Sequence, residues 1–434
     1  MFKGGIKLID FKEISKERTI KDFPAPERAV IPLSQHTGIP SKPVVKKGDV
    51  VLKGQLIGEN AGFISSAVHS SISGVVTGIE NCPLPGGRIS PAIVIENDGK
   101  DIPVELTNRN WQELKVEEII SIVRNSGIVG MGGAAFPSSV KLTIPPGKKA
   151  DCVILNGCEC EPFLTADYRV MKEEAERVIE GLLIICKTLG VDRGYVGIES
   201  NKKDLIKLLK NTLNKFSTDI SIEIKVLPEK YPQGSEKHLI KSILNKEVPS
   251  GGLPIDVGCV VFNVQTAAAI RDAVCESKPL IERVLTVTGR IKNPENLRVR
   301  IGTPVSKILE YCGVEVKDGL KVILGGPMMG IQIYTADIPV IKGTSGILIL
   351  SEELLPEEIQ PCIRCGKCVE VCPMRLVPAE LGKYAENQRW ERCVDFNVVD
   401  CIECGCCSYI CPAKRPMVDL FKWAKAEIRK AGTK

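Results

Sequence analysis

Residues 362–373 read CIRCGKCVEVCP, and residues 401–412 repeat the pattern as CIECGCCSYICP. Both stretches have the spacing Cys-x2-Cys-x2-Cys-x3-Cys-Pro, which is typical of thiolates that hold a [4Fe-4S] cluster. The alternative is a pair of structural zinc sites. Zinc is closed by four ligands from two Cys-x2-Cys units, so the third and fourth cysteines of each run are superfluous for it. The spacing therefore predicts two iron-sulfur clusters.

The two motifs resemble the bacterial ferredoxin signature, in which the fourth cysteine of each run reaches across to the other cluster. The resemblance implies one cluster bound by Cys362, Cys365, Cys368 and Cys411. It implies a second cluster bound by Cys401, Cys404, Cys407 and Cys372. A single cluster is enough for redox sensing, whereas two clusters that exchange ligands indicate electrons passing through. Cys393 and Cys406 lie out of register, and we expect them to be unligated.

The composition is that of a soluble multidomain chain, and 434 residues suggest about three domains of roughly 150 residues. A formal net charge of only +5, without a long basic block, excludes nucleic-acid binding as the function. Beyond the two motifs the remaining cysteines are scattered singly, which is typical of the reducing cytoplasm. No signal peptide and no long apolar run is visible, so we expect membrane contact only through partners.

Residues 1–98 contain short apolar runs separated by glycine and proline, which predicts a small β-barrel or β-sandwich. The pattern KKGDVVLKGQLIGE followed by SSISGVVTGIE resembles the barrel-sandwich hybrid of biotinyl and lipoyl carriers. A carrier lysine is expected at the hairpin tip, but the tip between Ala67 and Ser73 has His69 instead. We therefore favour a docking module over a swinging arm.

Residues 108–276 alternate apolar strands with amphipathic helices, which predicts an open, Rossmann-like parallel α/β sheet that binds ligands beyond the carboxyl ends of its strands. Residues 281–350 resemble the small β-grasp domain called SLBB. Within them GGPMMG at residues 325–330 reads as a tight turn or as a ligand cradle. Residues 351–434 carry both cysteine motifs and are predicted to form a helical twin-cluster ferredoxin domain. The predicted fold class is thus multidomain α/β plus β.

A glycine-rich loop, SGIVGMGGAAFP at residues 126–137, stands after a predicted helix and ahead of Lys141. Glycines let backbone N–H groups approach an anionic oxygen, and Lys141 adds positive charge. The loop is neither a P-loop nor the usual Rossmann fingerprint, because it follows a helix and not a strand. Taken alone, it fits an anion-binding loop and a plain surface loop equally well.

Four blocks in the same order resemble the flavoprotein subunit of respiratory complex I: the glycine loop up to Lys141, NGCECEP at residues 156–162, YPQGSE at residues 231–236 and NVQT at residues 263–266. The resemblance implies non-covalent FMN bound by Gly130, Gly132, Gly133, Lys141, Asn156, Tyr231, Gly234, Asn263 and Thr266. It implies that Phe136 stacks on NAD(H), and that Glu161 and Glu236 contact its polar groups. Cys158, Cys160 and Ser235 depart from that subunit's residues, which points away from complex I itself.

The complete domain order resembles the C subunits of Rnf complexes. That family implies a peripheral subunit at the cytoplasmic face of the membrane, with integral membrane and ferredoxin-like subunits as partners. It implies electron transfer between ferredoxin-derived clusters and NAD+ through FMN, coupled by the partners to proton or sodium transport. The alternative is a flavin and iron-sulfur corrinoid reductase of metabolosomes, which carries its barrel at the other end. No side chain is predicted to act as a catalytic acid or base, because the flavin carries the hydride chemistry.

Overall fold

The computed structural model of the chain describes residues 2–315, 320–350 and 358–432. In these ranges the strands form four sheets, and the two cysteine motifs lie in a separate helical part. No helix within the described ranges is both long and apolar enough to cross a bilayer.

The N-terminal part contains two antiparallel sheets that enclose a small core. A 3-10 helix spans Lys12–Ile14, and the strands are β1 (Ile20–Asp22), β2 (Arg28–Pro32), β3 (Lys42–Pro43), β4 (Val50–Val51), β5 (Leu56–Glu59), β6 (Val68–His69), β7 (Gly74–Leu84) and β8 (Arg88–Asn97). One sheet has the order β2-β8-β7-β4 and the other β3-β5-β6, and we call strands β2 to β8 the barrel segment. Its core includes the buried side chains of Ile31, Ile57, Ile93 and Ile95. The predicted β-sandwich is present.

His69 is not at an exposed hairpin tip, contrary to the prediction from the sequence. It lies in β6, pairs with Leu56 of β5, and is only 7% exposed. Burial, with the charge of Lys342 as a second cause, lowers the pKa of His69 to about 3. A neutral, buried imidazole packs as part of the core, so nothing at this position can serve as a swinging attachment point.

The middle part is an open sheet with helices on its faces, and we call it the α/β segment. Its strands are β9 (Cys152–Asn156), β10 (Arg193–Glu199), β11 (Ser221–Leu227) and β12 (Cys259–Asn263). Its helices are α1 (Val116–Asn125), α2 (Ser138–Leu142), α3 (Ala166–Glu173), α4 (Ala175–Leu189), α5 (Lys203–Leu213), α6 (Glu236–Leu244) and α7 (Val264–Glu276), with a 3-10 helix at Pro254–Val257. All pairs are parallel in the order β11-β10-β9-β12, as predicted.

Close packing of α4 against α7 depends on one glycine. A Cβ atom at Gly181 would lie 2.0 Å from the carbonyl oxygen of Ala267, so only glycine lets the two helices approach this closely. Apolar side chains on the buried face of α4, such as Val178, Leu182 and Ile185, complete the core. The sheet therefore has a rigid base under the edge where its strands end.

The third part is a mixed sheet, which we call the β-grasp segment. Its strands are β13 (Glu282–Gly289), β14 (Glu295–Arg300), β15 (Lys321–Leu324), β16 (Ile331–Ile333) and β17 (Gly346–Leu350), and its helix is α8 (Val305–Tyr311). The strand order is β1-β14-β13-β17-β15-β16, and β1 pairs parallel to β14 from Ile20 opposite Asn296 to Asp22 opposite Arg298. The first strand of the chain therefore belongs to this sheet and not to the barrel.

The cysteine segment, residues 358–432, is helical. It contains α9 (Lys367–Glu370), α10 (Pro378–Glu386), α11 (Trp390–Asp395), α12 (Cys406–Tyr409) and α13 (Met417–Lys430), with a 3-10 helix at Val398–Asp400. The turns before α9 and α12 use Gly366 and Gly405, whose φ angles are 78° and 81°. Buried Leu381, Phe421 and Ala424 join α10 to α13. Residues 351–357, where the sequence places the start of this domain, lie outside the described residues.

Candidate flavin and iron-sulfur site

The carboxyl ends of two neighbouring strands bring together two asparagines. β9 ends at Asn156, β12 ends at Asn263, and the two residues are directly paired. The side-chain oxygen of Asn263 caps α7 by accepting from the N–H groups of Gln265 at 2.9 Å and Thr266 at 3.4 Å. Asn156 donates to the carbonyl oxygen of Gly234 at 2.7 Å. Three of the sequence blocks therefore meet at the edge of the sheet where such folds bind ligands.

Residues 130–135 are the part of the glycine-rich loop that passes over this edge, and from here on we call this part the glycine loop. The N–H of Met131 donates to the hydroxyl of Thr266 at 2.8 Å. A Cβ atom at Gly132 would lie 3.5 Å from the Cβ of Asn263, so the loop runs directly above the strand end. The backbone at Gly132 is exposed on the other side. The loop thus combines a fixed anchor with accessible main chain, which an anionic ligand requires.

Lys141 and Glu236, predicted for FMN and NAD(H) respectively, form an ion pair with each other. Lys141 also donates to the carbonyl oxygen of Val261 at 2.9 Å. Phe136 closes the glycine loop, since its carbonyl oxygen accepts from the N–H of Gly130 at 2.8 Å. A bound phosphate would compete with Glu236 for the ammonium group of Lys141.

Glu161 joins the strand-end loop to the methionine loop, residues 325–330. One carboxylate oxygen accepts from the N–H of Met328 at 3.0 Å, and the other lies 3.4 Å from the hydroxyl of buried Tyr231. Burial raises the pKa of Glu161 to about 7, although the hydrogen bonds from Met328 and Met329 act in the opposite direction. This carboxylate therefore ties the α/β segment to the β-grasp segment, a role that the sequence did not indicate.

The predicted ligands of the first cluster lie together. Burial raises the pKa of Cys368, and the nearby thiols of Cys411, Cys362 and Cys365 raise it further. Cys362 and Cys365 are exposed, whereas Cys368 and Cys411 are buried. We call these four residues the outer thiol set. Cys411 of the second motif therefore lies near the thiols of the first motif, and its role as a cluster ligand remains a prediction.

The predicted ligands of the second cluster also lie together. Burial raises the pKa of Cys407, and the thiols of Cys401, Cys404 and Cys372 raise it further. Cys401 is partly exposed and the other three are buried. We call these four residues the inner thiol set. Backbone N–H groups point at two of its sulfurs, from Leu376 to Cys372 at 3.3 Å and from Glu403 to Cys401 at 3.4 Å.

Within residues 2–315, 320–350 and 358–432, no group of three or more His, Cys, Asp or Glu side chains is arranged to hold a metal ion. A cluster of irons and sulfides occupies the space between its thiolates, so its ligands stand farther apart than those of one ion. Backbone N–H groups directed at sulfur are the hydrogen bonds that tune cluster potentials. The N–H groups of Arg364, Leu376 and Glu403 are directed at the sulfurs of Cys362, Cys372 and Cys401, so both thiol sets have the hydrogen bonds of a [4Fe-4S] site.

The inner thiol set lies against the strand-end edge of the α/β segment. Cys404 and Cys406 pack with Ile6 and Tyr231 in a small buried cluster that Met328 borders. A Cβ atom at Gly405 would lie 2.9 Å from the carbonyl oxygen of Met328. The methionine loop and Tyr231 therefore lie between the strand-end edge predicted to bind the flavin and the inner thiol set.

The N-terminal residues complete this junction, which sequence reasoning missed. Ile6 exchanges backbone hydrogen bonds with Tyr231 at 2.9 and 2.8 Å, and the N–H of Gly5 donates to the carbonyl oxygen of Val371 at 2.8 Å. A Cβ atom at Gly4, whose φ is 70°, would lie 2.4 Å from the carbonyl oxygen of Cys372. The Gly-Gly pair in MFKGGI could have predicted this contact, because adjacent glycines without side chains let two backbone segments pass close to each other.

A buried charge cluster behind the strand-end loop was also missed. Lys202 is 1% exposed, lies 3.2 Å from the carboxylate of Glu199 and donates to the carbonyl oxygen of Cys158 at 2.5 Å. Lys12 donates to the carbonyl oxygen of Glu161 at 2.9 Å. Lysines are usually exposed, so nothing in the sequence distinguishes these two from surface residues.

Family models match nearly the whole chain in the predicted order. The matches are an RnfC barrel sandwich hybrid domain over residues 1–100, a Nuo51 FMN-binding domain over residues 123–272, an SLBB domain over residues 284–332 and a 4Fe-4S dicluster domain over residues 361–414. These matches confirm the predicted fold class. The domain bounds and the individual ligand residues remain predictions.

Curated relatives cover most or all of the chain. The C subunit of the proton-translocating ferredoxin:NAD(+) oxidoreductase complex of Clostridium ljungdahlii is 47% identical over 100% of this chain and 95% of its own length. The C subunit of the Na(+)-translocating complex of Acetobacterium woodii is 47% identical over 92% of this chain and 90% of its own. In Pseudomonas aeruginosa, the C subunit of an ion-translocating oxidoreductase complex is 39% identical over 100% of this chain and 56% of its own. These names give the corrinoid-reductase alternative no support.

A solved structure shares the fold at low sequence identity. One polypeptide of NAD+-reducing [NiFe]-hydrogenase in the H2-reduced state superimposes with a TM-score of 0.53 and 16% identity, covering 74% of this chain and 63% of its own length. At this identity the likeness establishes the architecture alone.

Proposed function

This chain belongs to the family of C subunits of ion-translocating ferredoxin:NAD+ oxidoreductase complexes, and on that basis we propose that it exchanges electrons between NAD(H) and two [4Fe-4S] clusters through FMN. One observation carries the proposal. The glycine loop lies over Asn263, the neighbouring Asn156 donates to Gly234, and Tyr231 of the same sequence block packs against Cys404 of the inner thiol set. Electron exchange requires this proximity.

The FMN site is formed by residues with distinct tasks. Lys141 supplies the positive charge that a phosphate needs, and the exposed backbone at Gly132 lets an anionic group approach closely. Asn156 and Asn263 place amide groups at the ends of β9 and β12. When bound, FMN supplies the conversion between hydride transfer and one-electron transfer. We assign no side chain the role of acid or base, so the protein contributes binding, orientation and exclusion of water.

The two thiol sets are ordered by their positions. The inner set packs beside Tyr231 and Met328, whereas Cys362 and Cys365 of the outer set are exposed. The inner set is thus the one that exchanges electrons with the flavin edge. The outer set is open to a one-electron partner at the surface.

The partners follow from family membership. The relatives are subunits of multi-subunit ion-translocating complexes, so this chain is one component of such an assembly. Its partners in this proposal are integral membrane subunits and a ferredoxin-like subunit, at the cytoplasmic face of the membrane. One relative at 47% identity is named proton-translocating and another at 47% is named Na(+)-translocating. The coupling ion is therefore assigned to the membrane subunits.

The proposal is tested with the full chain, purified without oxygen and reconstituted with iron, sulfide and FMN. We expect one FMN and about eight irons per chain. We expect NADH to reduce an artificial one-electron acceptor only when FMN is present, and to reduce the clusters only when FMN and iron are both present. A preparation with full iron and FMN content that leaves NADH unoxidised would falsify the proposal.

Two variants separate the parts of the site. Asn263→Ala is expected to lower FMN content while iron content stays at about eight per chain. Cys404→Ser is expected to lower iron content while FMN stays bound. A parallel fall of FMN and iron in both variants would contradict separate binding sites.

A further inference from the structure

A cavity of about 670 Å³ lies where the barrel, α/β and β-grasp segments meet. Its walls come from residues 34–38 and Arg88 of the barrel, from the glycine loop and from the methionine loop with neighbouring strand ends. Of the residues predicted for FMN and NAD(H), those that line it are Gly132, Gly133 and Glu161. Small-molecule sites occupy roughly 300–1,000 Å³, so the size suits a ligand rather than a few waters.

We propose that this cavity binds the NAD(H) dinucleotide, that the barrel segment forms one wall of the site, and that Arg88 contacts the phosphates. The inference rests on the proposed function and deepens it. It gives the barrel segment a task in substrate binding, beside the docking role that the sequence favours. A ligand here touches the same loop that covers the flavin edge, as a partner in hydride transfer must.

The cavity wall has the chemistry of a nucleotide site. Met329 and Ile331 are large apolar side chains that remain 51% and 38% exposed, and both line the cavity. They offer a surface on which a planar base can pack. Glycines from both loops expose main chain to the same space, which suits the pyrophosphate. A ligand with a flat apolar part and an anionic part matches both features.

Two hydrogen-bonding groups on the barrel wall lack a partner among the described residues. The Nε2 of His36 lies 3.0 Å from the carbonyl oxygen of Ile39 and 3.1 Å from the backbone nitrogen of Ser66, and its Nδ1 has no hydrogen-bond partner. Burial, followed by the charge of Lys342, lowers the pKa of His36 to about 4. The Oε1 of Gln35 accepts from the N–H of Lys342 at 3.2 Å, and its Nε2 likewise has no acceptor. Unpaired buried polar atoms are costly unless a ligand completes their hydrogen bonds.

The walls are held in place before any ligand arrives. The side chain of Lys342 donates to the carbonyl oxygens of Ala67 at 2.6 Å and Gly127 at 2.7 Å, so it joins all three segments. Thr37 of the barrel donates to the glycine loop twice, from its N–H to the carbonyl oxygen of Ala135 at 3.1 Å and from its hydroxyl to that of Ala134 at 3.0 Å. The folded chain itself therefore fixes the shape of the cavity.

Arg88 is placed to supply the charge. It lies at the start of β8, directly after the hairpin tip where Gly86 and Gly87 have φ angles of 80° and 73°. Among the described residues that line the cavity, Arg88 is the only arginine or lysine, and Glu161 is the only acid. Guanidinium groups bind phosphate through paired hydrogen bonds. Removal of this one cation is therefore a sharp test.

The test uses the full, FMN-loaded and cluster-loaded chain, with ADP-ribose as the probe in titration calorimetry. ADP-ribose contains the adenosine and pyrophosphate of the dinucleotide but cannot undergo hydride transfer. We expect Arg88→Ala to weaken its binding about tenfold, equivalent to about 1.4 kcal/mol. Met329→Ala should weaken it several-fold. FMN and iron contents should match those of the unaltered chain, because neither side chain belongs to the flavin or thiol sites.

The matched control is Arg28→Ala. Arg28 is an exposed arginine of the same sheet that pairs with Glu80, outside the cavity lining. Unchanged ADP-ribose binding in this variant, together with the losses above, supports the proposal. Equal effects of Arg88→Ala and Arg28→Ala overturn it.

The two proposals fail in different ways. If NADH is oxidised with an unchanged KM in Arg88→Ala and Met329→Ala, the cavity assignment is wrong and the proposed function stands. If the unaltered holoprotein binds ADP-ribose with these side-chain dependences but oxidises no NADH, the cavity assignment stands and the proposed function is wrong. Labelling by 8-azido-NAD+ gives a second readout. Attachment to residues 34–38 or 325–331 supports the assignment, and attachment only elsewhere overturns it.

Discussion

Replacing Glu161 with glutamine is expected to stabilise the chain at pH 8 and to have much less effect at pH 5. The carboxylate accepts from the N–H of Met328 at 3.0 Å and lies 3.4 Å from the hydroxyl of Tyr231. Glutamine has the same shape, and its oxygen can accept from the same N–H group. The substitution therefore removes the ionisation and keeps the connection between the two loops.

The magnitude follows from the pKa of Glu161, which burial raises from 4.5 to about 7. Between these two values the folded state binds more protons than the unfolded state, so stability falls as the pH rises. The full cost is about 3 kcal/mol at pH 8 and about 1 kcal/mol at pH 5. These are upper limits, because the carboxylate borders the cavity and water there reduces the cost of its charge.

The assay is the thermal midpoint of reconstituted protein, compared between pH 5 and pH 8. For a unit of 150–250 residues, about 3 kcal/mol corresponds to a rise of roughly 6–12 °C at pH 8 in Glu161→Gln. Glu96→Gln, at an exposed position of β8, serves as the control and should change neither midpoint. If Glu161→Gln raises the thermal midpoint equally at pH 5 and pH 8, or raises it at neither pH, the raised pKa of Glu161 is refuted.

Other substitutions test the remaining parts of the site. Gly132→Ala should retain FMN because its Cβ would meet Asn263 at an ordinary 3.5 Å, whereas Gly132→Leu should lose FMN, measured by absorbance, with iron unchanged. Asn263→Ala removes the α7 cap and the 2.6 Å hydrogen bond to Asp167, so the free energy of unfolding should fall by about 2–4 kcal/mol in urea titrations. Cys411→Ser should remove about half of roughly eight irons, as measured colorimetrically, whereas Cys406→Ser should retain them all; a loss in the second variant would make Cys406 a ligand.

The cysteine spacing and the four flavin-like blocks allowed much of the architecture to be predicted. The pattern Cys-x2-Cys-x2-Cys-x3-Cys leaves few ways to arrange thiols, and the position of Cys411 near Cys368 agrees with the ligand exchange that it predicts. Asn156 and Asn263 each stand at the end of an apolar run. Parallel strands end at the same edge, so their meeting was predictable too.

Other features depend on contacts between residues far apart in the chain. Lys342 reads as an ordinary surface lysine, yet it is 1% exposed because carbonyl groups of two other segments surround its ammonium group. Burial lowers its pKa to about 7. Glu161 was predicted to contact polar groups of NAD(H), and no pattern in the sequence revealed its hydrogen bond with the N–H of Met328, 167 residues away. Hydrophobic periodicity reports the local secondary structure and carries no information about partners that are distant in the sequence.

The threading of the first residues also bears on how the protein is made. Phe2 and Ile6, which are 6% and 8% exposed in the folded chain, are synthesised long before Val371. Their neighbourhood is completed only when Val371 has been synthesised, since its carbonyl oxygen receives the N–H of Gly5. These two apolar side chains therefore remain exposed to solvent until most of the polypeptide has been synthesised. Chains with transiently exposed apolar surface are prone to aggregate. A nascent chain stalled before the cysteine segment should therefore be a substrate for chaperones.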